Sequence, residues 1–300
     1  MFYKKADYKN LCNKSSILST TKFTLNSIIA DTQFHTVYKV RFKNSYAILK
    51  VAKYLELKDS LKVEKYIYEN NLTNLSIKVL DCNFEDMPYL LLEFAKGKCL
   101  EEIPLNSNNF PKVIQNLKNA IISYSLPLKD TKKFGTLTYQ SNKLEGSFTK
   151  WSEYILSNLE DHLSIVHKYI PSFIMKLIEQ SFYKEKNTLD DNITPCLLHS
   201  DLGRHNIFVD GSDITSIIDW EDACSGDTLF DYANFASFSG SDLFIPILLQ
   251  NLDQEQINKF WKYYLRILIA KGVVLLNSNK PIDERYTRKL NRILQNSSRR

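Results

Sequence analysis

His199, Asp201, Asn206 and Asp219 fall within one stretch, LLHSDLGRHNIFVDGSDITSIIDWEDACSGDTLFDYANF. Asn206 follows Asp201 by five residues, and Asp219 follows Asn206 by thirteen at the end of the apolar run ITSIID. Phosphoryl transfer to a hydroxyl needs a carboxylate beside the attacking oxygen. It also needs hard oxygen ligands for Mg²⁺, which an Asn amide and a second Asp supply. A lone HxD is common by chance, and an Asp after an apolar run is often a plain turn residue. At these offsets, with GDTLFDYA following, the four residues together read as a phosphoryl-transfer site.

The segment resembles the catalytic region of the aminoglycoside phosphotransferase family, which shares its fold with the protein kinases. Matched residue by residue, the resemblance implies that Asp201 orients or deprotonates the acceptor hydroxyl and that Asn206 and Asp219 hold Mg²⁺. His199 and Asp231 are assigned to support of the catalytic loop. The family's Gly between His and Asp is Ser200 here. KKFGTLTYQ, a turn at Gly146, FTKWSEYI and the run DWED resemble stretches of the hygromycin phosphotransferase-like branch.

Upstream, Lys50 interrupts the apolar run AILKV and Glu64 lies in the helix predicted after it. In kinases such a pair joins a phosphate-holding Lys to a helix Glu. Strand alternation puts Ile48 on the face of Lys50, where it could cover an adenine. The strand YLLLEF ends at Glu93, Phe94 and Ala95, which resemble the hinge whose backbone pairs with the base edge. No Gly-rich phosphate loop is present. ADTQFHT stands in its place, leaving backbone amides with Thr32, Gln33 or Thr36 to meet a phosphate.

The elements that must position these groups are legible in outline. Phe34 to Val51 reads as an antiparallel hairpin, LKVEKYIYENN as a helix capped by Asp59 or Ser60, and SIKVLDCNF and PYLLLEF as two further strands. PYLLLEF is apolar throughout, as a central strand would be. AKGKCLEEIPLNSNN reads as a polar connector. Helical patterns then dominate: Phe110 to Ser125, Thr149 to Leu159, Ser164 to Phe182, Thr228 to Phe238, Gln254 to Leu276 and a basic terminal helix. Short strands interrupt them at CLLHS, NIFVD and ITSIID. The expected architecture is α+β and bilobal, protein-kinase-like. Residues 1–95 form a small antiparallel sheet with one helix that binds the nucleotide, and residues 96–300 form a larger, mainly helical lobe for catalysis and the acceptor.

Composition narrows the function further. The 300 residues carry a formal charge of +5, but Lys and Arg are scattered among Asp and Glu, which argues against nucleic acid. The five cysteines form no CxxC pair and read as reduced thiols. The basic start MFYKKADYKNLCNKSS lacks an apolar stretch behind it, and no segment has the length of a membrane span, so a cytoplasmic monomer or weak dimer is expected.

From Asp219 to GDTLFDYA there are only seven residues, too few for a peptide-holding segment, so the acceptor should be small. Between Asp190 and Asp242 lie 11 acidic residues against one basic residue, Arg204. Asp210 and Asp213 belong to a turn, which leaves Glu221, Asp222 and Asp227 to bind a cationic acceptor. A solvated acidic rim that balances Mg²⁺ would look the same. The expected activity is ATP- or GTP-dependent phosphorylation of a hydroxyl on a small polar acceptor, foremost a hygromycin-type aminoglycoside. Kinases of sugars, choline or homoserine and a catalytically idle binding module share the same core motifs.

Overall fold

Alternating apolar residues on either side of Lys43, which adopts φ 52°, fold the chain back on itself. The computed structural model, which describes residues 23–70, 72–238, 240–282 and 284–297, pairs β2 (His35–Phe42) with β3 (Ser45–Ala52) in unbroken antiparallel register. The Lys- and Tyr-rich N-terminus and Cys12 lie outside the described residues. With β1 (Phe23–Asp31), β4 (Val79–Asn83) and β5 (Tyr89–Glu93), the sheet runs β1-β2-β3-β5-β4. β5 is flanked on both sides, which explains its continuous apolar run: Leu90 and Leu92 join the main core, while Tyr89 and Leu91 pack with Val40, Ala47 and Leu49. Helix α1 (Lys58–Glu69) buries Leu61, Val63, Glu64, Ile67 and Tyr68. Neither Asp59 nor Ser60 caps it. A 3-10 turn at Leu55–Leu57 leads into the helix, and the Ser60 hydroxyl donates back to the Leu57 carbonyl at 2.9 Å.

β6 (Lys98–Cys99) leads on to α2 (Phe110–Tyr124), whose buried stripe runs from Phe110 to Tyr124. A hairpin follows that the helical reading missed: β7 (Phe134–Gln140) and β8 (Lys143–Phe148). Its turn is at Ser141 and Asn142, at φ 50° and 62°, and Gly146 is a strand residue instead. The helices expected next are broken by local chemistry. α3 (Trp151–Leu156) and α4 (Leu159–Val166) are separated at Asn158, φ 55°. α5 (Ser172–Ile178) begins only after Pro171, because Pro forces Ile170 out of the helical region to φ −96°, ψ 121°.

β9 (Cys196–Leu198), β10 (Ile207–Asp210), β11 (Asp213–Ile217) and β12 (Cys224–Gly226) complete two small sheets, β11-β10-β6 and β8-β7-β12-β9. They hold the catalytic segment against α6 (Leu229–Ser237). A short turn of helix, α7 (Ile245–Leu248), then precedes α8 (Gln254–Asn277), which starts with a capping box between Asp253 and Gln256. α8 packs on α4, α6 and the basic α9 (Glu284–Ser297). No described helix is long and apolar enough to cross a membrane.

Candidate active site

Lys50 leaves the interior face of β3 beside Ile48, as alternation requires, and is buried. Its ammonium meets Glu64 Oε2 of α1 at 2.8 Å, Glu221 Oε2 at 2.8 Å and, closer still, Asp219 Oδ1. Tyr68, one turn after Glu64, donates from its hydroxyl to Glu64 Oε1 at 2.9 Å and accepts the Asp219 amide at 3.1 Å. Three carboxylates therefore surround one cation. Burial opposes protonation of Lys50, but Asp219, Glu64 and Glu221 together hold its ammonium well above the usual range. Lys50 in turn keeps Asp219 below the ordinary carboxylate range despite its burial. Burial pushes Glu221 up to about 8, with Asp219 and Glu64 adding to the shift and Lys50 opposing it. His35 Nε2 lies 3.2 Å from Glu221, and burial, with Lys50 adding to it, brings that imidazole down to about 3, so His35 is neutral.

The catalytic loop hangs from Asp231. Fully buried at the start of α6, its carboxylate accepts from the amides of His199 (2.7 Å) and Ser200 (2.9 Å) and from the Tyr124 hydroxyl (2.7 Å). His199 is buried, with its Nε2 at 2.8 Å from the Ile218 carbonyl, and its Nδ1 accepts the Asp201 amide at 3.2 Å. Asn234 donates to the Ser200 carbonyl. Ser200 takes φ 70°, the left-handed region a glycine enters freely, and its hydroxyl lies with Tyr154 and Cys224. The serine thus takes a left-handed turn that a glycine would adopt without strain.

Asp201 points its carboxylate to solvent, 41% exposed, with His205 Nε2 4.0 Å from Oδ2. Asn206 is buried and donates its amide N–H to the Asp201 carbonyl at 3.0 Å, which leaves its side-chain oxygen as a lone-pair donor. Asp219, at φ 70°, brings the second oxygen ligand. An amide oxygen and a carboxylate form a hard donor set that fits Mg²⁺. Beside Asp201 opens a cavity of about 570 Å³ whose lining includes Tyr154, Ser200, Asn234, Arg266 and Lys271.

The expected acceptor acids fall in three places. Glu221 is on the Lys50 side. Asp227 caps the start of α6 through the Leu229 amide (3.0 Å) and accepts the Tyr263 hydroxyl (2.8 Å); neither residue lines the cavity. Asp222 is exposed and near enough to Asp201 and Asp219 to feel their charge; partial desolvation raises its carboxyl, with both neighbours adding to the shift. Trp151 is fully buried, stacks on Tyr154 and donates to Tyr263, so it is core. Gly226 gives it room, since a Cβ there would come within 2.2 Å of the indole. Ile48 packs against the main core, and the Glu93 amide is committed to the Lys78 carbonyl at 3.0 Å, with Ala95 packed beyond it.

Residues 136–262 match the model of the phosphotransferase enzyme family, APH. The chain is 25% identical over 186 residues to hygromycin-B 4-O-kinase of Escherichia coli, a match covering 59% of this chain and 52% of the relative; it thus spans about half the length of that curated relative. Among solved structures it is similar to aminoglycoside phosphotransferase APH(4)-Ia, at TM-score 0.72 and 19% identity over 95% of this chain and 97% of the other. It is also similar to a thermostable mutant of that protein in ternary complex with AMP-PNP and hygromycin B, at TM-score 0.68 and 18% identity over 90% and 92%. The GDP complex of aminoglycoside 2'-phosphotransferase-IIIa gives TM-score 0.64 at 14% identity over 97% and 98%. The fold is therefore the kinase-like fold of the aminoglycoside phosphotransferases, α+β with an antiparallel N-terminal sheet and a helical C-terminal region.

Sequence reading overlooked Tyr68, His205 and Lys271. Tyr68 and His205 carry a local signal, each standing four residues from a site carboxylate (Glu64 and Asp201). Lys271 carries none, because only the packing of α8 brings it to Asp201.

Proposed function

We propose that this protein transfers the γ-phosphoryl group of ATP or GTP to a hydroxyl of a small polar acceptor, with a hygromycin-type aminoglycoside as the leading candidate. The observation that carries this reading is the arrangement of the two carboxylates: Asp219 is held by Lys50, while the Asp201 carboxylate is left open to the adjoining cavity. Residues 1–95 would hold the nucleotide, with Ile48, Glu93 and Ala95 along the base and Lys50, fixed by Glu64, on the phosphates. Residues 96–300 would hold the acceptor.

Asp201 accepts the hydroxyl proton as the oxygen attacks the γ-phosphorus in line, the bond to the β–γ bridging oxygen breaks and ADP or GDP leaves, while Lys50 spreads the charge of the transferring group. Mg²⁺ held by Asn206 and Asp219 would supply further charge neutralisation. His199 and Asp231 keep the loop that bears Asp201 in place. The curated relative's name and the ternary complex of APH(4)-Ia support the aminoglycoside reading. The alternatives are a kinase of another hydroxylated metabolite and an idle binding module.

Mg-ATP and Mg-GTP titration by thermal shift, followed by acceptor-dependent ADP or GDP release over aminoglycosides, sugars, choline and homoserine, separates these readings. A nucleotide-dependent rise in Tm and turnover with an aminoglycoside are expected. Nucleotide binding with turnover only on another acceptor moves the assignment to that acceptor, and the absence of any nucleotide response favours the idle module.

A further inference from the structure

The walls around Asp201 are basic. The cavity of about 570 Å³ between α4 and α8 and a second of about 490 Å³ between α6, α8 and α9 both reach Asp201 and Lys271, and among the described residues no other carboxylate lines either one. His162 and Arg266 line the first, and Arg285 and Lys289 the second. Arg266 is buried and spends its guanidinium on the carbonyls of Ile155 (2.6 Å) and Ser157 (2.7 Å), fixing the break between α3 and α4 without pairing to any described carboxylate. The Lys271 Nζ is buried without a hydrogen-bond partner among the described residues, 3.2 Å from the centroid of the Phe238 ring. Burial brings its amine down to about 7, with Lys289 adding to the shift and Asp201 opposing it. A buried amine with unused donors costs free energy unless a ligand satisfies it.

Taking Asp201 as the group that receives the acceptor hydroxyl, we propose that Lys271 is the specificity-determining residue of the acceptor cavity. It donates to an oxygen-rich, ammonium-free face of the acceptor and rejects compounds that carry an ammonium group beside the reacting hydroxyl. Ring oxygens, hydroxyls or a carboxylate can accept from its amine. An ammonium group brought to the same place would meet Lys271 and Arg266 with no acid nearer than Asp201, and like charges in a partly desolvated cavity repel strongly. Of the expected acceptor acids only Asp222 is near enough to Asp201 for their charges to interact, and it lines neither cavity, so the amines of an aminoglycoside bound here must lie away from the Lys271 wall.

The test compares wild type, Lys271→Met and Lys271→Arg with two readouts. The first is steady-state ADP release with hygromycin B and its N-acetylated form, together with the other acceptors of the panel. Lys271→Met is expected to lower KM about tenfold for acceptors with an amine beside the reacting hydroxyl and raise it about tenfold for carboxylate-bearing ones, with kcat nearly constant and Lys271→Arg close to wild type. One common factor for all acceptors overturns the proposal. The second readout needs no turnover: trace acetylation of Lys271, mapped by peptide mass spectrometry, should be slowed by gluconate and not by glucosamine. Equal protection by both, or by neither, also overturns it. A wild-type enzyme that turns over no acceptor sinks the phosphotransferase reading, yet leaves the labelling result to decide on Lys271.

Discussion

Replacing Asp231 should separate the support of the catalytic loop from its chemistry. In Asp231→Ala three donors, the amides of His199 and Ser200 and the Tyr124 hydroxyl, lose their common acceptor in a site closed to water. Each unsatisfied buried donor costs about 1–3 kcal/mol. Part of that sum is returned, because burial already pushes the Asp231 carboxyl upward against its hydrogen bonds and the nearby His199. The net destabilisation should be about 3–5 kcal/mol. Asp231→Asn should lose nearly as much, since its NH₂ would face a donor where Oδ1 or Oδ2 now accepts. Tyr124→Phe removes one donor and leaves both amides paired, so about 1 kcal/mol and an unchanged kcat are expected. Urea unfolding gives the stabilities, and acceptor-dependent ADP release under folding conditions should show kcat down about a hundredfold in Asp231→Ala as the loop loses its position. An Asp231→Ala protein within 1 kcal/mol of wild type, about the worth of one hydrogen bond, with normal kcat would refute this account of the loop.

Ser200→Gly should stabilise the fold by about 0.5–1 kcal/mol in urea unfolding, because a non-glycine residue in the left-handed region costs about 1–2 kcal/mol, partly offset by the looser unfolded chain. Destabilisation instead would show that the hydroxyl's place beside Tyr154 and Cys224 outweighs the strain. Lys271→Met should raise stability by a few kcal/mol below pH 7. The folded amine titrates near 7, under its unfolded value of 10.5, so its burial penalty is full below 7 and fades as pH rises toward 10.5. A pH-independent increment would contradict a buried, titrating amine. Lys50→Met should abolish the Mg-ATP thermal shift and leave Glu64, Asp219 and Glu221 uncompensated, with a stability deficit larger at pH 8 than at pH 5 because carboxylates relieve repulsion by protonating. Retained nucleotide binding would remove Lys50 from the phosphate site.

The first sheet, α1 and the catalytic segment were legible because their signals are local. Period-two alternation places Ile48 and Lys50 on one face, and short fixed spacings bring His199, Asp201 and Asn206 onto one loop. The hairpin at Phe134–Phe148 escaped notice because its turn is Ser141–Asn142 rather than a glycine pair, and β7 is covered by distant α1 and β12. The helix breaks at Asn158 and Pro171 were written in residue chemistry but overridden by an apolar pattern that ran through them. Long-range charge placement was the least legible part. The acidic surplus after Asp190 suggested a cationic acceptor, yet Glu221 turns to Lys50 and Asp227 to Tyr263, and the cavity walls come from α8 and α9, far along the chain.

The most direct test of phosphoryl transfer through Asp201 is acceptor-dependent ADP release by Asp201→Asn beside wild type, with Mg-ATP affinity measured on the same preparations. The account predicts that wild type adds one phosphoryl group to an acceptor hydroxyl, seen by mass spectrometry of the product. It predicts that Asp201→Asn binds Mg-ATP normally while kcat falls by about 10²–10⁴. A variant that keeps wild-type turnover would contradict the role of Asp201 and with it the reading of the whole site.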